Sequence, residues 1–126
     1  MSVLTQPPSM GDVLKYELNP NFTRETITLL AGTVYPVGAV LGRITASGKY
    51  KLSTSGGSDG AQTAAAVVLY ATDATTADQE AVVMVRGPAI LSKAALVFDA
   101  TVDDAAKTAT KHGQLAALGI IPRDTA

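Results

Sequence analysis

Only one stretch of the chain has the spacing of apolar residues that an amphipathic helix requires. Within residues 101–113, one helical face collects small apolar side chains at i, i+3, i+4 and i+7: Val102, Ala105, Ala106 and Ala109. Thr101 is placed to cap the start of this helix, and Gly113 to end it. The rest of the chain alternates short β-type segments with turns rich in glycine and proline. The sequence therefore predicts a mainly β (α+β) fold, a compact small β-barrel-like domain with one short C-terminal helix.

The predicted strands are runs of β-branched and aliphatic residues bounded by turn residues. They lie at residues 26–30, 33–45, 49–54, 63–70 and 80–86. Glycines inside the second of these strands suggest a bulge or a tight bend, and the turn that follows it predicts a hairpin. Because only 5% of the residues are aromatic and 21 are alanine, few large side chains are available for a core. We expect the domain to bury additional surface by association.

The first 24 residues differ from the rest because three prolines interrupt them. Residues 13–18 alternate in polarity and predict a strand with one apolar side. A lone strand is unstable in water, so it must pair with its own domain, a neighbouring subunit or a partner protein. We divide the chain into an extended N-terminal arm at residues 1–24 and a β-rich domain at residues 25–126. We expect the arm to find its partners outside its own chain.

Charge and composition exclude several classes of function. The formal net charge of -1 leaves no broad basic field for nucleic acid. Without cysteine, the chain cannot form disulfides, zinc ribbons, iron–sulfur clusters or a cysteine nucleophile. No signal peptide is visible, and the longest apolar run, residues 64–71, is far shorter than a membrane helix. We expect a soluble protein with neither a nucleic-acid nor a membrane partner.

The sequence offers no constellation of residues for catalysis. His112, the only histidine, is best explained as favourable charge near a helix end, because a general base needs a positioned nucleophile and a metal site needs several ligands. Asp99, Asp103 and Asp104 lead into the helix, where capping explains them better than calcium binding. The glycine-rich loop at residues 55–60 lacks the Gly-Lys-Ser/Thr of a phosphate loop. We therefore predict a protein that is not an enzyme and needs no metal or cofactor.

Arg43 and Arg86 stand out because each interrupts an otherwise apolar strand. Alternation toward solvent is the simpler explanation. The alternative is a salt link between subunits, since the forked donors of arginine suit interfaces. Both residues are therefore candidate contacts between subunits.

Short motifs follow one another along most of the chain. They are found at residues 12–17, 22–25, 31–33, 36–42, 47–50, 59–62 and 85–89. No single motif is specific, but their order and spacing, over residues 12–122, resemble those of the head decoration proteins of lambda-like tailed phages.

The resemblance implies a structural virion protein that binds the outer surface of the expanded phage head as a homotrimer and stabilises the capsid. It also implies a late protein that assembles from the host cytoplasm, with the major capsid protein as its partner. In this family the N-terminal segment becomes ordered by adding a strand to that partner. Capsid binding is thereby assigned to Val13, Leu14, Lys15, Tyr16, Glu17 and Leu18. The implied trimer makes Arg43 and Arg86 possible trimer contacts.

Two alternatives belong to other functional classes. An oligomeric β-rich tail or surface adhesion module would bind a carbohydrate through exposed aromatic residues, for which the body offers only Tyr35, Tyr50 and Tyr70. A small hydrolase or isomerase would require His112 to line a pocket.

Overall fold

Residues 10–124 are the part of the chain that the computed structural model describes, and they contain ten strands in three sheets with one helix longer than a single turn. This confirms the mainly β prediction and its one C-terminal helix. The first nine residues of the predicted arm, including Pro7 and Pro8, lie outside the described residues.

The elements follow the predicted order of short strands, except that the predicted strand at residues 33–45 is two strands separated by a turn and lying in different sheets. Two single-turn helices, α1 (Met10–Val13) and α2 (Pro20–Thr23), flank the first strand, β1 (Leu14–Glu17). The next strands are β2 (Arg24–Leu29), β3 (Val34–Tyr35), β4 (Val40–Arg43), β5 (Tyr50–Leu52), β6 (Ala64–Val68), β7 (Thr72–Asp73), β8 (Gln79–Met84) and β9 (Ala89–Ser92). A 3-10 turn (Lys93–Ala95), helix α3 (Ala105–Ala117) and strand β10 (Ile120–Arg123) complete the chain.

Five strands pair in a ring, in the order β2-β5-β4-β6-β8. The β2–β8 ladder is antiparallel and runs from Arg24 opposite Met84 to Leu29 opposite Gln79. The seam between β2 and β5 is much shorter, since only Leu29 and Tyr50 pair there, in parallel. The ring therefore forms a small barrel-like sheet whose closure is weakest at the β2–β5 seam.

The predicted hairpin and bulge are both present in β4. This strand pairs antiparallel with β5, and its ladder with β6 is irregular between Leu41 and Gly42. A side chain at Gly42 would collide with the backbone of Ala61, so the close approach of these two segments requires glycine.

Two apolar clusters lie on opposite sides of the barrel strands. In β4, Val40 belongs to one cluster and Leu41 to the other, and Val67 and Val68 divide in the same way in β6. Because successive side chains of a strand point to opposite faces, both faces of these strands are buried. This explains why β6 is a continuous apolar run rather than an alternating one.

Helix α3 begins and ends later than the sequence predicts. Asp104, not Thr101, is the N-cap, and its side chain accepts a hydrogen bond from the backbone nitrogen of Lys107 at 2.8 Å. Thr101 instead donates from its hydroxyl to the carboxylate of Asp99 at 2.6 Å. The helix continues through Gly113, although glycine costs about 1 kcal/mol in a helix interior. Packing beyond Gly113 compensates for this cost, because Leu115 is fully buried.

The buried face of α3 also differs from the predicted one. Ala105, Ala106 and Ala109 are exposed, whereas Lys111 and Leu115 are buried. The prediction followed small apolar residues and treated lysine as a surface residue. The larger Leu115 and the long aliphatic stem of Lys111 determine the face instead, because they bury more apolar surface.

The expectation that the N-terminal strand lacks partners in its own chain is wrong. Strand β1 pairs antiparallel with β9, which also pairs in parallel with β10, so the three form one sheet in the order β1-β9-β10. Val13 is 0% exposed and belongs to the core. Pairing within the chain is favourable because β9 is paired with β10 on one side only and can accept β1 on the other, and because Val13 becomes buried. The local pattern of residues 13–18 reveals neither of these features.

Candidate functional site

The three-stranded sheet leaves one side of β1 open. Within residues 10–124, β1 pairs with β9 and with no other strand, so it is an edge strand rather than an interior one. An edge strand presents backbone N–H and C=O groups that can pair with a strand of another chain. The same sheet contains β10, near the other end of the described chain, with β9 lying between it and β1.

The apolar residues predicted for capsid binding do not share one exposed face. Val13 is fully buried, and Leu14 is half-buried and packs against the core. Tyr16 and Leu18 are 49% and 59% exposed. The ladder is irregular between Leu14 and Tyr16, which disrupts the regular alternation that the sequence suggested. Only Tyr16 and Leu18 of this apolar set are therefore accessible to a partner.

The two charged residues of the strand have different roles. Lys15 is exposed, and its ammonium donates to the carbonyl oxygen of Gly11 at 2.9 Å. The carboxylate of Glu17 accepts bonds from the guanidinium of Arg24 and, at 2.5 Å, from the hydroxyl of Thr23. Glu17 thereby fastens the end of β1 to α2 and the start of β2.

The pairing with Arg24 helps to lower the pKa of Glu17. Burial opposes ionisation, but the hydrogen bonds from Arg24 and Thr23 together with the charge of Arg24 outweigh it and hold the pKa of Glu17 below its ordinary value. The side chains of Glu17 and Arg24 are only 8% and 15% exposed. Glu17 is therefore occupied within its own chain.

A row of apolar side chains crosses the outer face of the sheet. Ile90 of β9 lies opposite Tyr16 of β1 and Ile121 of β10. Its neighbours Ala89 and Leu91 are buried, so Ile90 takes the outer position in the alternation. Tyr16 and Ile121 are 49% and 38% exposed. Exposed apolar side chains beside an open strand edge are suited to contact with another protein.

The structure separates the roles of the two candidate arginines. The guanidinium of Arg86 donates to the carbonyl oxygen of Phe22, pairs with Glu25 at 2.9 Å and lies 5.4 Å from the centre of the Phe22 ring. Arg43 is exposed, and it forms no ion pair within residues 10–124. Arg86 is thus engaged inside its chain, whereas Arg43 is available.

Two basic residues of α3 were not predicted as structurally important. Lys111 is 1% exposed, and burial lowers its pKa despite a favourable contribution from Asp99. The Nε2 atom of His112 is buried without a hydrogen-bond partner in the described chain, and its ring lies 5.8 Å from that of Phe98. Burial, assisted by the charge of Lys93, lowers the pKa of His112. The position of Lys111, one turn before the apolar Leu115, is the sequence signal that could have revealed its burial.

Of the residues named for the alternative functions, Tyr35 and His112 do not lie where those functions require them, whereas Tyr70 is 49% exposed. Tyr35 is 1% exposed and donates its hydroxyl to the carbonyl oxygen of Leu30 at 2.7 Å, so it cannot stack on a sugar. A shallow depression of about 330 Å³ is lined by residues that include Tyr35, Lys51 and Asp99, but His112 does not line it.

Within residues 10–124, no three side chains capable of binding a metal come together. None of the helices in that range is both long enough and apolar enough to cross a membrane.

Comparison with known proteins gives one family match and no relative among curated proteins. The family model that matches is bacteriophage lambda head decoration protein D, and the match extends over residues 3–120. It therefore includes β1, every barrel strand, α3 and the first residue of β10. This is a family of structural proteins of the phage head, which implies binding to the capsid and a place at the head surface. The chain belongs to the bacteriophage lambda head decoration protein D family.

Proposed function

We propose that the protein binds the outside of the expanded phage head as a homotrimer and stabilises the capsid. The proposal retains residues 1–24 as the capsid-binding segment and residues 25–126 as the body. The observation that carries it is the open edge of β1, beside which Tyr16 and Leu18 are exposed. A strand of the major capsid protein adds to this edge and extends the β1-β9-β10 sheet.

An edge strand that is already folded changes the energetics of binding. Ordering a disordered segment costs about 1–2 kcal/mol per residue of backbone entropy. The β1–β9 ladder and the Glu17–Arg24 pair order β1 before any partner arrives. The partner therefore meets a preformed template, and its backbone pairs with β1 without that cost for the residues of β1.

Three copies of this edge on one trimer make the attachment strong. A single short strand pairing is weak, but linking three sites raises the effective affinity by about 10²–10⁴ when the geometry permits simultaneous contact. A trimer bound to several capsid subunits resists their separation.

We place Arg43 at the trimer contact, because Arg86 is already paired with Glu25. The molar mass of the free protein in solution tests the trimer.

The experiment uses point variants, because deleting residues 1–24 would remove Val13 from the core and β1 from its sheet. Leu18→Asp places a charge on the exposed edge and should reduce sedimentation with empty expanded heads by about tenfold or more. Val34→Asp is the matched control, since Val34 is 51% exposed on β3 in a different sheet. Its binding should equal that of the parent protein.

Circular dichroism and melting temperature establish that both variants are folded. A folded Leu18→Asp protein that decorates heads as well as the Val34→Asp control would contradict binding through the β1 edge. Loss of binding in both variants would contradict the assignment of the site to this sheet.

A further inference from the structure

A fully buried lysine connects α3 to both ends of the glycine-rich loop. The ammonium of Lys111 donates to the hydroxyl oxygen of Ser53 at 2.9 Å and to the carbonyl oxygens of Thr54 and Gln62 at 2.6 Å each. Ser53 and Thr54 follow β5, and Gln62 precedes β6, so these oxygens lie just before and just after residues 55–61.

The acceptors match the ammonium in number and kind. An ammonium has three N–H donors, and each finds one neutral oxygen. Lys111 forms no ion pair within the described chain. A buried charge without a counter-ion is costly, and hydrogen bonds that satisfy all of its donors are what reduce that cost.

Two further hydrogen bonds hold the segments around Lys111 in place. The hydroxyl of Ser53, which accepts from Lys111, donates in turn to the carbonyl oxygen of Ala61 at 2.7 Å. One turn further along α3, the side-chain oxygen of Gln114 accepts from the backbone nitrogen of Ala64 at 2.7 Å. The helix is thus bonded to both flanks of the loop, and the loop ends are bonded to each other.

We propose that the oxygens of Ser53, Thr54 and Gln62 form a site for a primary ammonium group, which Lys111 occupies, and that this contact holds residues 55–61 against α3. A loop of glycine and serine has little intrinsic preference for one shape. Holding both of its ends at one point removes most of its freedom. A guanidinium is planar and larger than an ammonium, and its donors do not match three converging oxygens.

Chemical rescue of Lys111→Ala tests the site. Propylammonium has the same atoms that the substitution removes, three carbons and one ammonium nitrogen. We expect the variant to melt at a lower temperature than the parent protein. The hydrogen-bonded amides of residues 55–61, those of Ser55, Gly60 and Ala61, should exchange about tenfold faster. Propylammonium should raise its melting temperature with increasing concentration and slow that exchange. Tetramethylammonium, which has no N–H donor, should do neither at the same ionic strength.

Lys107→Ala is the matched control on the same helix, because the side chain of Lys107 is 41% exposed and, within the described chain, forms ion pairs only with Asp103 and Asp104. Its loop exchange should be that of the parent protein, and propylammonium should not change it. If the two ammonium salts affect Lys111→Ala equally, or if its loop exchange is unchanged, the ammonium site is refuted.

Lys111→Met keeps the test available if Lys111→Ala does not fold. Methionine retains a long, unbranched apolar side chain but has no donor for the three oxygens. Exchange in residues 55–61 should rise about tenfold in this variant while exchange in β2 and β8 remains slow. Parent-like protection of the loop in Lys111→Met would overturn the proposal. Head binding is not used as a readout, so this result is independent of the proposed capsid function.

Discussion

Buried charged groups have different partners at the edge of β1 and at the corner where α3 meets the glycine-rich loop. At the edge, the carboxylate of Glu17 is paired with the guanidinium of Arg24. At the corner, Lys111 is held by neutral oxygens, and the Nε2 atom of His112 has no partner in the described chain. Beside the ion pair, β1 still has one side of its backbone unpaired with any other described strand. At the corner, the hydrogen bonds of Lys111 join α3 to the segments on both sides of the loop. One region therefore keeps an open strand edge, and the other is held together by hydrogen bonds within the chain.

The largest expected effect tests whether both regions belong to one core. Leu115→Ala should lower the free energy of unfolding by about 2–5 kcal/mol, because it removes a fully buried side chain from the corner. Val13→Ala should lower it by about 2–3 kcal/mol at the N-terminal segment. Leu118→Ala, at a 37% exposed position, is the control and should have a much smaller effect. Denaturant unfolding measures all three, and a neutral Val13→Ala would show that the N-terminal segment is not part of the core.

A smaller effect concerns the ion pair beside the edge. Glu17→Gln should lower the free energy of unfolding by about 1–2 kcal/mol at pH 7, since it removes charge-assisted bonds from Arg24 and Thr23. The folded-state pKa of Glu17 is below its ordinary value of 4.5. Its stabilisation is therefore fully present above pH 4.5 and is lost as the pH falls through the folded pKa.

Unfolding measured from pH 7 down to pH 3 follows this loss. The difference between Glu17→Gln and the parent protein should shrink as the pH falls below 4.5. Asp103→Asn is the control, because it breaks an exposed ion pair between Asp103, which precedes α3, and Lys107 on that helix. A difference for Glu17→Gln that is unchanged at pH 3 would contradict a role for its ionised carboxylate.

The smallest effect concerns His112 at the corner. Its pKa is lowered from 6.5, so the folded state favours the neutral ring. The corresponding stabilisation is complete above pH 6.5 and is lost as the pH falls through the folded pKa. Lys93 opposes protonation and Asp124 favours it, and the adjacent Lys111 is also cationic.

Melting temperatures of the parent protein and of His112→Gln between pH 7.5 and pH 5 test this expectation. The parent protein should lose a few degrees more than the variant over this range. His112 is the only histidine, so no other imidazole contributes to the difference. Parallel melting curves for the two proteins across the range would disprove the expected contribution of His112.

Local pattern was sufficient for most of the secondary structure. Strands β2, β6 and β8, the β4–β5 hairpin and its bulge follow from runs of β-branched residues and from glycines at turns. The order of short motifs was also sufficient for the resemblance to head decoration proteins, which the family match over residues 3–120 confirms. Both kinds of signal lie within a few neighbouring residues or in their spacing along the chain.

Tertiary structure alone determined how β1 and Lys111 are used. The strand that pairs with β1 is β9, which lies more than 70 positions later in the chain. No local pattern reveals that β9 can pair on the side away from β10. The cage around Lys111 is built from Ser53, Thr54 and Gln62, which are about 50 to 60 positions away. A strand's partner and a lysine's burial depend on groups that only folding brings together, so the sequence could indicate each residue's chemistry but not what satisfies it.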